Sequence, residues 1–282
     1  MRIETAGLRS TLARIAAGTV LVLGAGAANA GTGEPSPWQM NMQGMVTEIG
    51  RDVAAFHYWL LWLITAISLF VLVLLVAAIV RFNERRNPVP SKTTHNSVLE
   101  VAWTVVPVLI LIAIAIPSFR LLREQLVIPQ HDIVVKATGY AWYWGYEYPS
   151  DQGGFKFDSN MVDQKDLKPG QPRLLTVDNE MVVPVGKVVR LQVTAADVLH
   201  NFAVPSLGQR LDAIPGRLNE TWFKADQEGV FHGQCSELCG NGHPYMPITV
   251  RVVSEQQYAA WLAEAKQKFA STAPATKLAT AR

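Results

Sequence analysis

The sequence predicts a membrane-anchored all-β protein, a two-helix transmembrane hairpin followed by a Greek-key β-barrel or sandwich. Three observations carry that reading: two long uncharged runs in the first half, short strands broken by turns after residue 123, and soft metal donors clustered near the last strands. The composition agrees. Of 282 residues, 49% are hydrophobic and only 17% charged, against about 25% charged in an average soluble domain, and mean hydropathy is +0.15. A disordered chain and a nucleic-acid-binding surface are excluded. The two cysteines are too few for a disulfide scaffold or a four-cysteine zinc or iron–sulfur site.

Residues 1–30 read as a signal peptide that is removed. Arg2, Arg9 and Arg14 precede a short apolar run from Ile15 to Ala27, and Ala28-Asn29-Ala30 supplies a small-residue cleavage site. The mature chain then starts near Gly31, with residues 31–52 as an external segment. Losing Arg2, Glu4, Arg9 and Arg14 takes the formal net charge from +2 to 0.

Residues 53–122 form the hairpin. Val53 to Val80 and Val101 to Phe119 contain no charged residue, and about 20 apolar residues cross a bilayer core of about 30 Å. Pro107 and Pro117 are tolerated where neighbouring helices satisfy the freed backbone groups. Tyr58, Trp59, Trp62 and Trp103 stand where interfacial anchors belong. The loop 81–99 carries Arg81, Arg85, Arg86 and Lys92, which places it in the cytoplasm and both termini outside. Ser97 with Glu100 reads as a capping box opening the second helix.

Residues 123–253 read as an antiparallel β domain. Strands are expected at Asp132–Ala137, Arg173–Val177, Lys187–Val193, Val230–Gly233 and Pro247–Val253, with turns at Lys168-Pro169-Gly170 and Ile214-Pro215-Gly216. Tyr140 to Tyr148 places an aromatic at every even position, one face of a single strand. In residues 254–282, Ser254 and Gln257 make a capping box before an amphipathic helix from Tyr258 to Phe269, and a loose tail follows.

The chemistry gathers at Cys235-Ser236-Glu237-Leu238-Cys239-Gly240-Asn241-Gly242-His243-Pro244-Tyr245-Met246, with His200 lying 35 residues upstream of Cys235. Two thiolates, two imidazoles and a thioether are soft donors that favour copper over magnesium, calcium or manganese. A Cys-x3-Cys disulfide, a Cys2His2 zinc and a mononuclear blue copper remain alternatives. Met246 argues against zinc and the second cysteine against blue copper, while two coppers bridged by thiolates use every donor. An exported, membrane-anchored copper chaperone or thiol oxidoreductase using the Cys-x3-Cys pair is the competing function. Such a protein usually places its cysteines between a strand and a helix and has one anchor.

The hairpin, Trp142-Tyr143-Trp144, Asp212-Ala213-Ile214-Pro215-Gly216-Arg217 and the cysteine segment resemble subunit II of the bacterial haem–copper cytochrome c oxidases, over nearly all of residues 31–270. The resemblance implies a cupredoxin-like β domain in the periplasm, anchored in the inner membrane. It implies a binuclear copper A centre in which Cys235 and Cys239 bridge two coppers and His200 and His243 each bind one. Met246 and the Glu237 carbonyl would be weak outer ligands. The Glu237 side chain would reach a magnesium or manganese ion shared with subunit I. Cytochrome c would deliver electrons one at a time through Trp142. They would pass to haem, held only in subunit I, where oxygen is reduced to water with proton pumping. Further integral subunits are expected as partners.

Two more expectations follow. Residues 130–253 hold 14 acidic and 11 basic residues, a net charge of −3. Asp158, Asp178, Asp197 and Glu147 match positions where the family gathers acids to steer a basic cytochrome. In the family, a glutamate at the position of Glu100 lies at the mouth of a proton path into subunit I. Trp142 as an electron port conflicts with a single buried aromatic strand face, so a twist or bulge must expose it. His57, His95, His131 and His232 are expected to be structural.

Overall fold

The computed structural model describes residues 33–269; the signal peptide expected at 1–30 and the tail expected at 270–282 lie outside them. Helices α1 (Glu48–Arg81) and α2 (Ser97–Leu126) are both long and apolar enough to cross a membrane, and α2 buries none of its residues within the chain. At about 1.5 Å per residue, the 34 residues of α1 reach well past a bilayer core. The helices therefore start before and end after the uncharged runs. Their surplus turns dock on the β domain: Arg51 pairs with Asp226 at 2.6 Å, and the Trp222 indole N–H donates to the Glu124 carbonyl at 3.0 Å.

Thr47 caps α1. Its hydroxyl accepts from the Gly50 N–H and donates to the Leu207 carbonyl, each at 2.9 Å. The cap of α2 differs from the expected Ser97–Glu100 box. Asn96 is the capping residue, its side-chain oxygen accepting from Val98 and Leu99 N–H at 3.1 and 3.2 Å. Asparagine is among the preferred capping residues, and standing one position earlier its backbone carbonyl takes the Glu100 N–H at 3.0 Å, the donor that the box would have given to Ser97.

The β domain holds ten strands: β1 (Ile133–Tyr140), β2 (Tyr143–Tyr148), β3 (Phe155–Ser159), β4 (Met181–Pro184), β5 (Val189–Ala195), β6 (His200–Val204), β7 (Gln209–Ala213), β8 (Asn219–Phe223), β9 (Gly229–Cys235) and β10 (Pro247–Val253). They form two five-stranded sheets, ordered β3-β2-β1-β5-β8 and β4-β10-β9-β6-β7. A sandwich core lies between them, with Val135, Trp144, Tyr148, Leu191, Phe202, Phe223 and Ile248 fully buried. The sheets are not purely antiparallel as expected: β1–β5 and β4–β10 are parallel pairs. The chain leaves the first sheet after β3 and returns as β5 beside β1, so no hairpin dictates their relative direction.

The strand expected at Arg173–Val177 does not form. Leu174 sits at φ 65°, and the segment is tied down by the Thr176 hydroxyl donating to the Pro172 carbonyl and the Thr249 hydroxyl donating to the Leu175 carbonyl. Nor is Tyr140–Tyr148 one strand. It is a hairpin whose turn is Ala141–Trp142, with Tyr140 opposite Tyr143. Trp144, Tyr146 and Tyr148 are buried while Trp142, in the turn, is 39% exposed. Helix α3 (Glu255–Phe269) opens on the expected box: the Ser254 N–H donates to Gln257 Oε1 at 3.2 Å, and the Gln257 N–H to Ser254 Oγ at 3.3 Å.

Candidate metal centre

Strand pairing builds the site. Phe202 of β6 lies opposite Cys235 of β9, which carries His200, the first residue of β6, to the end of β9 where Cys235 stands. From there residues 236–246 loop back into β10, whose Pro247 pairs with Gln234. The loop is folded by its own backbone: the His243 N–H donates to the Gly240 carbonyl at 3.1 Å and the Cys235 N–H to the Met246 carbonyl at 3.4 Å. Gly240, at φ +118°, adopts a conformation that side-chain-bearing residues rarely take.

Every donor that the sequence singled out converges. The two sulfurs of Cys235 and Cys239 lie 3.9 Å apart. His200 Nδ1 is 4.0 Å from the Cys235 sulfur, and His243 Nδ1 is 3.5 Å from that of Cys239. The Met246 sulfur is 3.5 Å from Cys239 Sγ, and the Glu237 carbonyl oxygen 3.3 Å from Cys235 Sγ. Among the described residues, the donor atoms of His200, Cys235 and Cys239 lie within 4.8 Å of one another. His200, Cys235, Cys239 and Met246 are all buried. A disulfide needs about 2.05 Å between sulfurs. A separation of 3.9 Å is instead short enough for metal–sulfur bonds of about 2.3 Å from both thiolates to meet. The thiols are free, and the soft donor set suits copper.

The surroundings tune the donors. Burial alone would raise the Cys235 thiol, but hydrogen bonding to His200 and to the Asn201 and Glu237 backbone brings it down to about 7. Burial pushes Cys239 up, and the neighbouring Cys235 pushes it further, to about 12. Without metal the pair is therefore one partly ionised thiolate beside a protonated thiol. His200 Nε2 faces Asp197 Oδ1 at 2.8 Å, which leaves Nδ1 aimed at the sulfurs. Gly139 backs the ring so closely that a Cβ there would meet His200 Cδ2 at 2.8 Å.

Trp142 closes the outer side. Its indole N–H donates to the Cys239 carbonyl at 3.0 Å, and its ring lies against Gly240 and Gly242, where an added Cβ would collide with it. The sequence had assigned Asp197 to a docking surface and missed its bond to His200. The signal was an acid three residues before a candidate donor histidine, a spacing that only the bend leading into β6 makes meaningful.

The other singled-out residues stand apart from the donors. Asp158 and Asp178 are exposed, and Asp178 accepts from the Asn160 N–H at 2.7 Å. Glu147 is half-buried and pairs with Lys136 at 3.3 Å. Glu100 is exposed in the first turn of α2, and the Glu237 side chain is also exposed. His232 is buried, its Nδ1 3.2 Å from both the Leu175 carbonyl and the Thr249 hydroxyl.

A two-helix anchor, a β-sandwich and a largely buried cluster of two cysteines and two histidines define a membrane protein with a site suited to a soft metal. The chain belongs to the cytochrome c oxidase subunit II family. Residues 133–253 match the family model for the cytochrome c oxidase subunit II periplasmic domain, and residues 35–121 the model for its transmembrane domain. A probable cytochrome c oxidase subunit 2 of Rickettsia bellii is 50% identical over 246 residues, 87% of this chain and 91% of the relative. Cytochrome c oxidase subunit 2 of Cereibacter sphaeroides is 46% identical over 263 residues, 86% and 87% of the two chains. The crystal structure of the periplasmic domain of subunit II of cytochrome oxidase of Bradyrhizobium japonicum is 59% identical, covering 51% of this chain and 99% of its own, with a TM-score of 0.48. The protein is thus a membrane subunit of an oxidoreductase complex and has partner subunits.

Proposed function

We propose that the chain accepts electrons one at a time from cytochrome c at a binuclear copper A centre and passes them to haem in subunit I, where oxygen is reduced to water with proton pumping. The observation that carries this reading is the convergence of all six donors around two sulfurs 3.9 Å apart. Bound there, a copper pair supplies a one-electron carrier whose charge is spread over two metals.

The chain's residues do the rest. Cys235, Cys239, His200 and His243 would hold the coppers, with Met246 and the Glu237 carbonyl as weaker donors beside them. Asp197 fixes the His200 ring by accepting from its outer nitrogen. Burial of His200, Cys235, Cys239 and Met246 limits water access, and a loop pinned at both strand ends limits rearrangement when the electron arrives. Trp142, exposed on one side and bonded to the Cys239 peptide on the other, is the port. Asp158, Asp178, Asp197 and Glu147 steer the basic donor, and the exposed Glu237 carboxylate reaches a magnesium or manganese ion shared with subunit I. Glu100 lies at the mouth of a proton path into that subunit. The basic loop between α1 and α2 faces the cytoplasm, and the β domain faces the periplasm.

Electron paramagnetic resonance of the copper-loaded chain tests the centre. One electron shared equally by two spin-3/2 nuclei gives a seven-line hyperfine pattern. A four-line pattern from a single copper, or a silent sample holding a disulfide, would overturn the reading.

A further inference from the structure

The segment before α1 is a closed loop that presents a tryptophan. Gly33 and Gln43 meet at one buried hydroxyl: Ser206 Oγ accepts from the Gly33 N–H at 3.0 Å and donates to Gln43 Oε1 at 2.9 Å. The Gly33 carbonyl also accepts from the His232 N–H at 2.7 Å. With its ends fixed together, residues 33–43 have the form of a compact Ω-loop, a class that is frequently functional.

At its tip, Ser36-Pro37-Trp38-Gln39 makes a tight turn, the Gln39 N–H donating to the Ser36 carbonyl at 3.1 Å. Pro37 stands at the second position and Trp38 has φ 60°, the pattern of a type II turn whose third position ordinarily takes glycine or asparagine. A tryptophan is costly there. The turn is braced by the Gln39 side chain, which accepts from the Ser36 N–H and donates to the Asn41 carbonyl, each at 2.9 Å. The result is an indole 94% exposed beside Met40, 92% exposed. Among the described residues, neither packing nor backbone preference accounts for that tryptophan.

We infer that Trp38 is an anchor that inserts into an apolar pocket on the exported face of another subunit of the oxidase. The inference rests on membership of the family, not on the copper chemistry. Tryptophan is the residue most enriched at energetic centres of interfaces, and methionine is enriched beside it. A membrane surface fits less well, because residues 33–50 contain no Lys or Arg and two glutamates, whereas binding to anionic lipid calls for basic residues.

Oxidative footprinting of Trp38, read by mass spectrometry, compares the intact oxidase, this chain expressed without its partners in the same detergent, and the chain alone in phosphatidylcholine–phosphatidylglycerol vesicles. Protection only in the intact oxidase is expected. Equal oxidation in oxidase and lone chain, or protection by vesicles alone, would overturn the anchor. Trp38→Gly supplies the second measurement, since glycine suits the positive φ and spares the fold. With thermal stability unchanged, the amount of partner subunit that co-purifies should fall by about tenfold or more. Undiminished co-purification would also sink the inference.

Discussion

The indole N–H of Trp142 donates to the backbone carbonyl of Cys239 at 3.0 Å. This one bond joins the β1–β2 hairpin of the first sheet to the donor loop between β9 and β10 of the second, so the exposed ring touches the peptide of Cys239. Trp142→Phe keeps an aromatic ring and removes the bond. The copper spectrum should persist, while electron uptake from cytochrome c slows on the order of tenfold or more, equivalent to about 1.4 kcal/mol of barrier. Stopped-flow mixing with reduced cytochrome c measures the rate. Uptake at the parent rate would remove Trp142 from the path.

Asp197 does more than add to a negative surface. It accepts from the Ala141 and Val198 N–H groups, each at 2.7 Å, besides facing His200 Nε2. Asp197→Asn should weaken copper binding by about 10- to 100-fold, the usual cost of losing a partner that orients a ligand histidine. Competition against a chelator of known affinity reads that number, and an unchanged affinity would reduce Asp197 to a surface charge.

The same pair sets a pH window for the copper-free chain. Burial would raise Asp197, but the bonds from His200, Val198 and Ala141 hold it below 3.8. Its contribution to stability is therefore full above that value and is lost as pH falls through the folded pKa. Burial would lower His200, but Cys235 and Asp197 hold it above 6.5, so its contribution is full below 6.5 and is lost as pH rises through the folded pKa. Denaturant midpoints should fall toward both sides of that window, and Asp197→Asn should flatten both arms.

Copper loading should release protons. With Cys235 titrating near 7 and Cys239 near 12, the two thiols together still hold more than one proton at pH 7, and both must leave as thiolates bind metal. Apparent copper affinity therefore rises with pH through the neutral range. A weakly buffered sample with an indicator dye measures the release, and less than one proton per loaded site would contradict the assigned thiol states.

The donor set was legible because its residue types, not its shape, carry the chemistry. Cys235, Cys239, His243 and Met246 lie in one twelve-residue segment, and His200 had only to be brought opposite by strand pairing. The hairpin was legible because lipid admits only long apolar helices. What failed depended on local backbone. Tyr140–Tyr148 keeps a perfect two-residue period, and that period cannot reveal a turn at Ala141–Trp142. The segment Arg173–Val177 has strand-like residues, yet the Thr249 hydroxyl takes the Leu175 carbonyl and the Thr176 hydroxyl folds back onto the Pro172 carbonyl. The parallel pairs β1–β5 and β4–β10 join strands distant in sequence, which no local pattern encodes.

The acidic face gives the last prediction, and the structure decides which substitutions test it cleanly. Asp197 is bonded to His200 and Glu147 to Lys136, so changing either disturbs more than charge. Asp158 and Asp178 are exposed, and the bond that Asp178 Oδ1 accepts from the Asn160 N–H is one that an asparagine Oδ1 can keep. Asp158→Asn with Asp178→Asn should leave the copper spectrum and fold intact while lowering the association rate with cytochrome c by about tenfold at low salt. The difference should shrink near 0.15 M salt, where the screening length is about 8 Å. Dissociation should change less, because steering acts on encounter rather than on the docked complex. If the double substitution leaves both the association rate and its salt slope untouched, the donor approaches by another face.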